Sequence, residues 1–411
     1  MICPRVKCTK DKELNFLISC ARVDLGLGDE GEVKKAAAID MDWGRVADLA
    51  EAHGILPILY RVSSQVVPEF MPEPLMISLR LKYLQNSQKN YLLSTELRSI
   101  LNSLESKELC VLPFKGPVLA EFLYGSSSLR YFSDLDLLVL RDDVFKTKII
   151  LESLGYRQDR LLSREQEAAF LKSKHHYHLI HPIKRVHVDL HWRIAPIIYS
   201  FDLDCRDLIE RSVSKIFYGK KVQTISDEDM LLILCEHGIR HYWKRLIWVC
   251  DIAIMLKLGA INWPQTIKRA FDIGCARALF LGIFLAIDLL GAPLPSNSNI
   301  AEQIQKDKEI LSLAEEIYNE LISDGPAQRV ADIDELKVDV NEELLYLRAR
   351  ERKRDKARYY MRRITIPTED DWDSISLPGF LFPVYHFVRP IRLIGRYKFS
   401  IGKWIRSTFW D

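Results

Sequence analysis

The chain has 411 residues, of which 48% are hydrophobic and 28% charged, with a formal net charge of +2. That length buries a full core and suggests roughly two or three domains. The balanced charge excludes a chain that is basic overall, so any nucleic-acid contact has to come from a local patch.

The N-terminus is polar and charged from Arg5 to Glu13, which predicts no secretory signal peptide. Eight cysteines are scattered without paired CxxC clusters, and the closest pair, Cys3 and Cys8, fits no strong zinc template. Free thiols in a reducing cytoplasm are the expectation. "DWGRVADLAEAHGILPILYRV" carries apolar residues at helical spacing, and a longer stripe runs from about Pro74 to Leu109 through Leu75, Leu79, Tyr83, Leu93, Leu97, Ile100 and Leu104. The texture then changes. "CVLPFKG" is a short apolar run ending in Lys115-Gly116, "PVLAEFLY" reads as a helix opening on Pro117, and "SSSLRYFS" as a loop. After the strand "DLDLLVL", "DVFKTKIILESLGY" reads as a second helix. "HHYHLIHPIKRVHVDLHWRI" reads as a hairpin turning at Pro182 to Arg185. From Asp227 to about Ile322 the pattern is helical. Its most apolar stretch, around Ala278 to Ile287, is too short to span a bilayer, so no transmembrane segment is expected. The tail is dense in arginine and lysine from Arg348 to Arg363 and ends in mixed aromatic and basic residues. The expected organisation is a helical region over 1–105, a catalytic core over 106–225, a helical domain over 226–330 and a basic, aromatic extension over 331–411.

The chemistry centres on Asp134 and Asp136. In an extended strand side chains alternate faces, so the two aspartates point the same way while Leu135 and Leu137 point the other. Two neighbouring carboxylates repel and raise each other's pKa unless a cation sits between them. Oxygen ligands of this kind suit Mg2+ or Mn2+. In "VHVDLHW", Asp189 shares a face with His187 and His191, and a third carboxylate on a neighbouring strand would complete a site for two metals. Asp202 and Asp204 compete with Asp189 for that role. Lys115-Gly116 falls at a strand-to-helix turn, where backbone N–H groups and the helix dipole favour phosphate. Arg130 and Ser133 stand just before the aspartates and are candidates to reach the same phosphates. An isolated Asp-x-Asp is commonly structural; its setting here, behind Lys-Gly and ahead of four apolar residues, favours the metal reading. His191 is open between a core histidine beside Trp192 and a functional group, and His175 and His176 read as surface residues at a strand entrance.

The runs "LPFKGPVLAEFLYGSSSLRYFSDLDLLVL", "VHVDLHWRI" and "LCEHGIRHYWKRLIWVCDIAIML" together resemble the bacterial nucleotidyltransferases of the NTP_transf_5 type, in the polymerase-beta superfamily. The ending "IPTEDDWDSISLPGFLFPVYHFVRPIRL" is similar as well, so the likeness covers most of the chain. It implies an α+β fold, a small mixed sheet embedded in largely helical N- and C-terminal regions. It also implies Gly116 as the phosphate-turn glycine, Asp134 and Asp136 as the metal pair and Asp189 as the third acid. The implied activity is metal-dependent transfer of an NMP group from an NTP, with ATP the expected donor, to an acceptor on a small molecule, peptide or protein. Asp189 could also serve as general base. One departure stands out: Pro117 occupies the position after the turn glycine, where the superfamily usually has Gly or Ser, and removes a backbone donor. Gly125-Ser126 is a second candidate turn.

His237 and His241 lie four apart on a helix with Trp243, Arg245 and Trp248 nearby, and read as packing or a pocket wall, with a metal pair as the weaker alternative. The tail has two readings, a membrane-surface or nucleic-acid contact through Arg389, Arg392, Arg396, Lys398 and Lys403, or aromatics packed on the core with solvated charges. Pro383 and Pro390 are expected to break any long helix there. Two alternatives to an active transferase therefore stay open: a catalytically silent nucleotide-binding module, which Pro117 allows, and an RNA-directed transferase, which the Arg348 to Arg363 run would serve.

Overall fold

In the computed structural model of the chain, residues 10–158, 162–295, 299–322, 340–375 and 377–397 are described. Cys3, Cys8, Lys398 and Lys403 lie outside them. The chain opens with four helices, α1 (Lys12–Asp24), α2 (Glu30–Ala37), α3 (Trp43–Ala52) and α4 (Leu56–Val66), followed by the long α5 (Glu73–Glu105). Asp11, Asp29 and Asp42 each accept a backbone N–H in the first turn of α1, α2 and α3, which fixes where these helices begin.

A five-stranded sheet follows, in the order β1-β2-β5-β4-β3. It comprises β1 (Val111–Pro113), β2 (Asp134–Val139), β3 (Arg157–Gln158), β4 (His176–His181) and β5 (Val186–His191). Helix α6 (Gly116–Tyr124) connects β1 to β2, and α7 (Val144–Ser153) and α8 (Arg164–Ser173) lie between β2 and β4. Only the central β2–β5 pair is parallel, and the others are antiparallel. The sheet is therefore mixed, and the fold is α+β. The β4–β5 hairpin turns at residues 182–185, as the sequence predicts, with Arg185 at φ 54° and its N–H on the His181 carbonyl at 2.8 Å.

The sheet's two faces follow from the strand alternation. Leu135, Leu137, Val188, Leu190, Tyr177 and Leu179 are fully buried in one apolar cluster with Leu93, Leu97 and Ile100 of α5 and Val144 and Leu151 of α7. The opposite face carries the polar side chains of the candidate site. Beyond α9 (Cys205–Glu210) and the two-stranded β6 (Val213–Phe217) and β7 (Lys220–Thr224), the chain is helical again. Helices α10 (Asp227–Arg240), α11 (Leu246–Leu258), α12 (Trp263–Ile273), α13 (Ala276–Leu290), α14 (Ile300–Lys306) and α15 (Lys308–Ile322) form this part. They share one apolar cluster with α1–α4, so contacts between residues 14–71 and 230–321 join the first and third sequence regions.

The last helices are α16 (Val340–Ala349), α17 (Lys353–Thr365), α18 (Glu369–Ser374) and α19 (Tyr385–Tyr397). The basic run expected to offer cations to a polyanion is largely spent within the chain. Arg348 pairs with Glu309 and Glu316, Arg350 with Asp355, and Arg358 with Asp202, while Arg362 donates to the Ile197 carbonyl. Arg389 and Arg392 likewise face Asp371 rather than solvent. Pro390 does not end its helix, since α19 runs through it. Trp372 and Tyr385 join the core, whereas Phe387, Ile391 and Ile394 are exposed on α19. No helix among the described residues is long and apolar enough to cross a membrane.

Candidate active site

The two central strands bring the acids together. In the parallel β2–β5 register Asp136 is opposite Asp189, and Asp134 is opposite His187. In the antiparallel β5–β4 register Asp189 is opposite His178, and His191 is opposite His176. Because residues two apart share a face, one face of three adjacent strands carries Asp134, Asp136, His187, Asp189, His191, His176 and His178.

Asp136 and His191 are buried, and His191 Nε2 is 3.0 Å from Asp136 Oδ1. His191 Nδ1 faces the Arg193 carbonyl at 3.3 Å. His178 Nδ1 is 2.7 Å from Asp189 Oδ1, and His187 Nδ1 is 3.1 Å from His178 Nε2, so a chain of two imidazoles backs the third acid. Oxygens of Asp136 and Asp189 and a nitrogen of His191 lie within 4.8 Å of one another, close enough for a single ion. Asp134 is outside that group, at the solvent end of β2.

The electrostatics separate the three carboxyls. Burial, and then the charges of Asp136 and Asp189, push Asp134 up to about 6. Burial also works against Asp136, but the Lys115 ammonium and the bond from His191 outweigh it and hold its pKa below the usual carboxylate range. For Asp189, burial is overcome by the His178 hydrogen bond and the neighbouring imidazoles, which hold it at about 2. A carboxyl held that low is a weak proton acceptor.

Lys115-Gly116 sits where the sequence places it, between β1 and α6. Gly116 has φ 51°, and a Cβ there would lie 2.8 Å from the Asp134 carbonyl oxygen, so both conformation and space require glycine. Pro117 fills the first turn of α6. Gly125 is instead the left-handed cap ending α6, and Ser126 caps the short turn at 127–129. Ser133 is exposed at the entrance to β2. Arg130 is the residue whose surroundings differ most from expectation. It is buried, with Nε and one terminal nitrogen on the Asp251 carboxylate at 3.0–3.2 Å, and Asp251 also accepts from Tyr124 at 2.8 Å. Its guanidinium therefore anchors the loop before β2 to α11, and contact with phosphate would require sharing that partner. Asp202 and Asp204 lie elsewhere, on an ion pair with Arg358 and at the start of α9.

The histidines at 175 and 176 depart from the sequence expectation. His175 is buried, and its Nε2 is 3.0 Å from His176 Nδ1. His175 is enclosed, and His176 partly so, because the Trp192 and Arg193 N–H groups donate to the His175 carbonyl, drawing the β4 entrance onto the end of β5. Period-two spacing in "HHYHLIH" could have placed His176 and His178 together, but only the register assigns them to the Asp189 face. Asp251 carried a signal too: it is a lone charge in the apolar run of α11, and such charges need partners. His237 and His241 are half-buried with rings 4.5 Å apart, and desolvation, with nearby cations, pushes both well below the ordinary histidine value. No third ligand joins them in a metal-sized group among the described residues. Gly238 between them leaves room for Trp243, whose ring a Cβ would meet at 2.4 Å.

The fold is thus a small mixed sheet flanked by helices, with acids from two neighbouring strands on one face. The chain belongs to the NTP_transf_5 family, described as an uncharacterised nucleotidyltransferase, whose sequence model matches residues 40–291. A solved structure of an antigenic nucleotidyltransferase-like protein from Paracoccidioides brasiliensis is similar at 14% identity, covering 54% of this chain and 92% of that chain with a TM-score of 0.30. No curated protein matches the chain.

Proposed function

We propose that the protein transfers an NMP group from an NTP, with ATP the expected donor, to a hydroxyl or similar acceptor on a small molecule, peptide or protein. The observation that carries this reading is the pairing of Asp136 with Asp189 across the parallel β2–β5 strands, with Asp134 on the same face and the Lys115-Gly116 turn beside it. The donor set fits a divalent cation: Asp134 is raised by burial and then by its acidic neighbours, and a cation relieves that repulsion. Asp134, Asp136 and Asp189 would hold Mg2+ or Mn2+, which would supply charge neutralisation for the triphosphate and a more acidic acceptor hydroxyl.

The chain's own groups do the rest. Lys115, close enough to lower the pKa of Asp136, adds positive charge at the mouth of the site. The Gly116 turn brings the start of α6 against the β2 backbone, where phosphate meets the positive end of a helix. Ser133 stands at the same mouth as a hydroxyl contact. His178 orients Asp189. Retention of all three acids favours an active transferase over a silent nucleotide-binding module. The RNA-directed reading is weakened because much of the Arg348 to Arg363 run is paired internally. The exposed Phe387, Ile391 and Ile394 leave a membrane-surface contact open for α19.

Calorimetry of each NTP with and without Mg2+, on wild type and the Asp134→Ala/Asp136→Ala double variant, tests the reading. Mg2+-dependent binding that the double variant loses supports it. Absence of wild-type binding to every NTP sinks it.

A further inference from the structure

We propose that His175, His176 and His191 form a binding site for a divalent transition metal of the Zn2+ or Co2+ type, next to the carboxylates but distinct from the oxygen-donor position suited to Mg2+. One ligand nitrogen from each of the three rings lies within 4.8 Å of the other two. His175 Nε2 and His176 Nδ1 are 3.0 Å apart. Two nitrogens bound to one ion at about 2.1 Å are separated by about 3.0 Å in octahedral and about 3.4 Å in tetrahedral geometry, so this pair is already at ligand spacing.

His191 offers the third nitrogen. His191 Nδ1 faces a backbone carbonyl, the arrangement that commonly fixes a metal-ligating imidazole and leaves Nε2 as the donor. Nε2 then faces Asp136 Oδ1 at 3.0 Å, a contact that takes either a proton or a cation between the two atoms. Neutral imidazole is the form that binds metal. Imidazole nitrogen selects transition metals, whereas Mg2+ takes oxygen.

The test is titration of the full chain with Co2+, read by its visible d–d absorption, followed by competition with Zn2+ and with excess Mg2+. The expected result is one Co2+ bound without nucleotide and displaced by Zn2+ but not by Mg2+. The affinity should fall about tenfold or more in His176→Gln, a partly exposed position that tolerates change, and in His175→Gln. Asp134→Ala should leave Co2+ binding unchanged. Failure of the wild type to develop a Co2+ spectrum, or binding unaltered in both histidine variants, overturns the site. Mg2+-dependent nucleotide binding measured on the same samples keeps the two readings apart. Nucleotide binding without Co2+ binding overturns only this site, and Co2+ binding without nucleotide binding overturns only the transfer reading.

Discussion

Gly116 lies directly against the backbone of Asp134: a Cβ on the glycine would sit 2.8 Å from the aspartate's carbonyl oxygen. The turn expected to face phosphate and the strand that carries the acids therefore share one close contact. Gly116→Ala introduces both that clash and the cost of a left-handed conformation, about 1–2 kcal/mol for the backbone alone. The expected outcome is a lowered denaturation midpoint together with weakened Mg2+-nucleotide binding, while Gly125→Ala, where a Cβ meets nothing within 4 Å, shows the backbone cost without the loss of binding.

Asp251 holds Arg130 in a buried two-point ion pair. Asp251→Ala leaves a buried guanidinium uncompensated and is expected to cost about 3–5 kcal/mol. Urea unfolding measures it. The double variant Arg130→Met/Asp251→Leu should recover much of that stability, because it removes both charges together.

His178 reaches Asp189 at 2.7 Å. His178→Ala should weaken Mg2+-dependent nucleotide binding by about tenfold, since the group that orients a ligand typically matters to that extent. His178→Asn, which retains a donor, should recover part of the loss. Calorimetry on both variants reads the difference.

Stability should fall steeply in mild acid. Burial lowers His53 and His176 to about 4 from an ordinary 6.5, and His175, His237 and His241 move in the same direction. Each is neutral in the fold and protonates more readily when unfolded. The stabilisation is therefore complete above about pH 6.5 and drains as pH falls toward 4, by at most about 1.4 kcal/mol per pH unit for each ring and by less for the partly exposed His176, His237 and His241. Asp134 acts oppositely: its folded pKa of about 6 exceeds the unfolded 3.8, so it favours the fold below pH 4 and loses that contribution as pH rises through 6. The histidines outnumber it, so the thermal midpoint should drop between pH 6.5 and 5. A midpoint flat across that window would contradict the burial of these rings.

The central strands were legible because their signals are local. "DLDLLV" and "VHVDLH" show alternation directly, and a two-strand pattern with a Pro182 to Arg185 turn fixes a hairpin. Gly116 was legible as a turn residue, though the reason it must be glycine, the Asp134 carbonyl, lies eighteen positions along the chain. The rest depended on contacts no window contains. Arg130 and Asp251 are 121 residues apart, so the sequence displayed the cation without its partner. The same holds for Arg348 with Glu309 and Arg389 with Asp371: a basic run shows its charges, and only the fold shows where they are neutralised. His175 and His176 were misplaced because exposure is decided by the Trp192 and Arg193 backbone closing over them from the other strand.

The Arg130–Asp251 pair also bears on how the protein can be cut. A fragment confined to 106–225 would keep the sheet and every acid, yet strand Arg130 and Tyr124 without the carboxylate that both address. The family match continues to residue 291, past α11, so Asp251 lies within the matched stretch of this chain. The smallest transplantable unit is thus set by a helix that supplies none of the candidate metal ligands, and designers of chimaeras or minimal enzymes should place their C-terminal boundary beyond it.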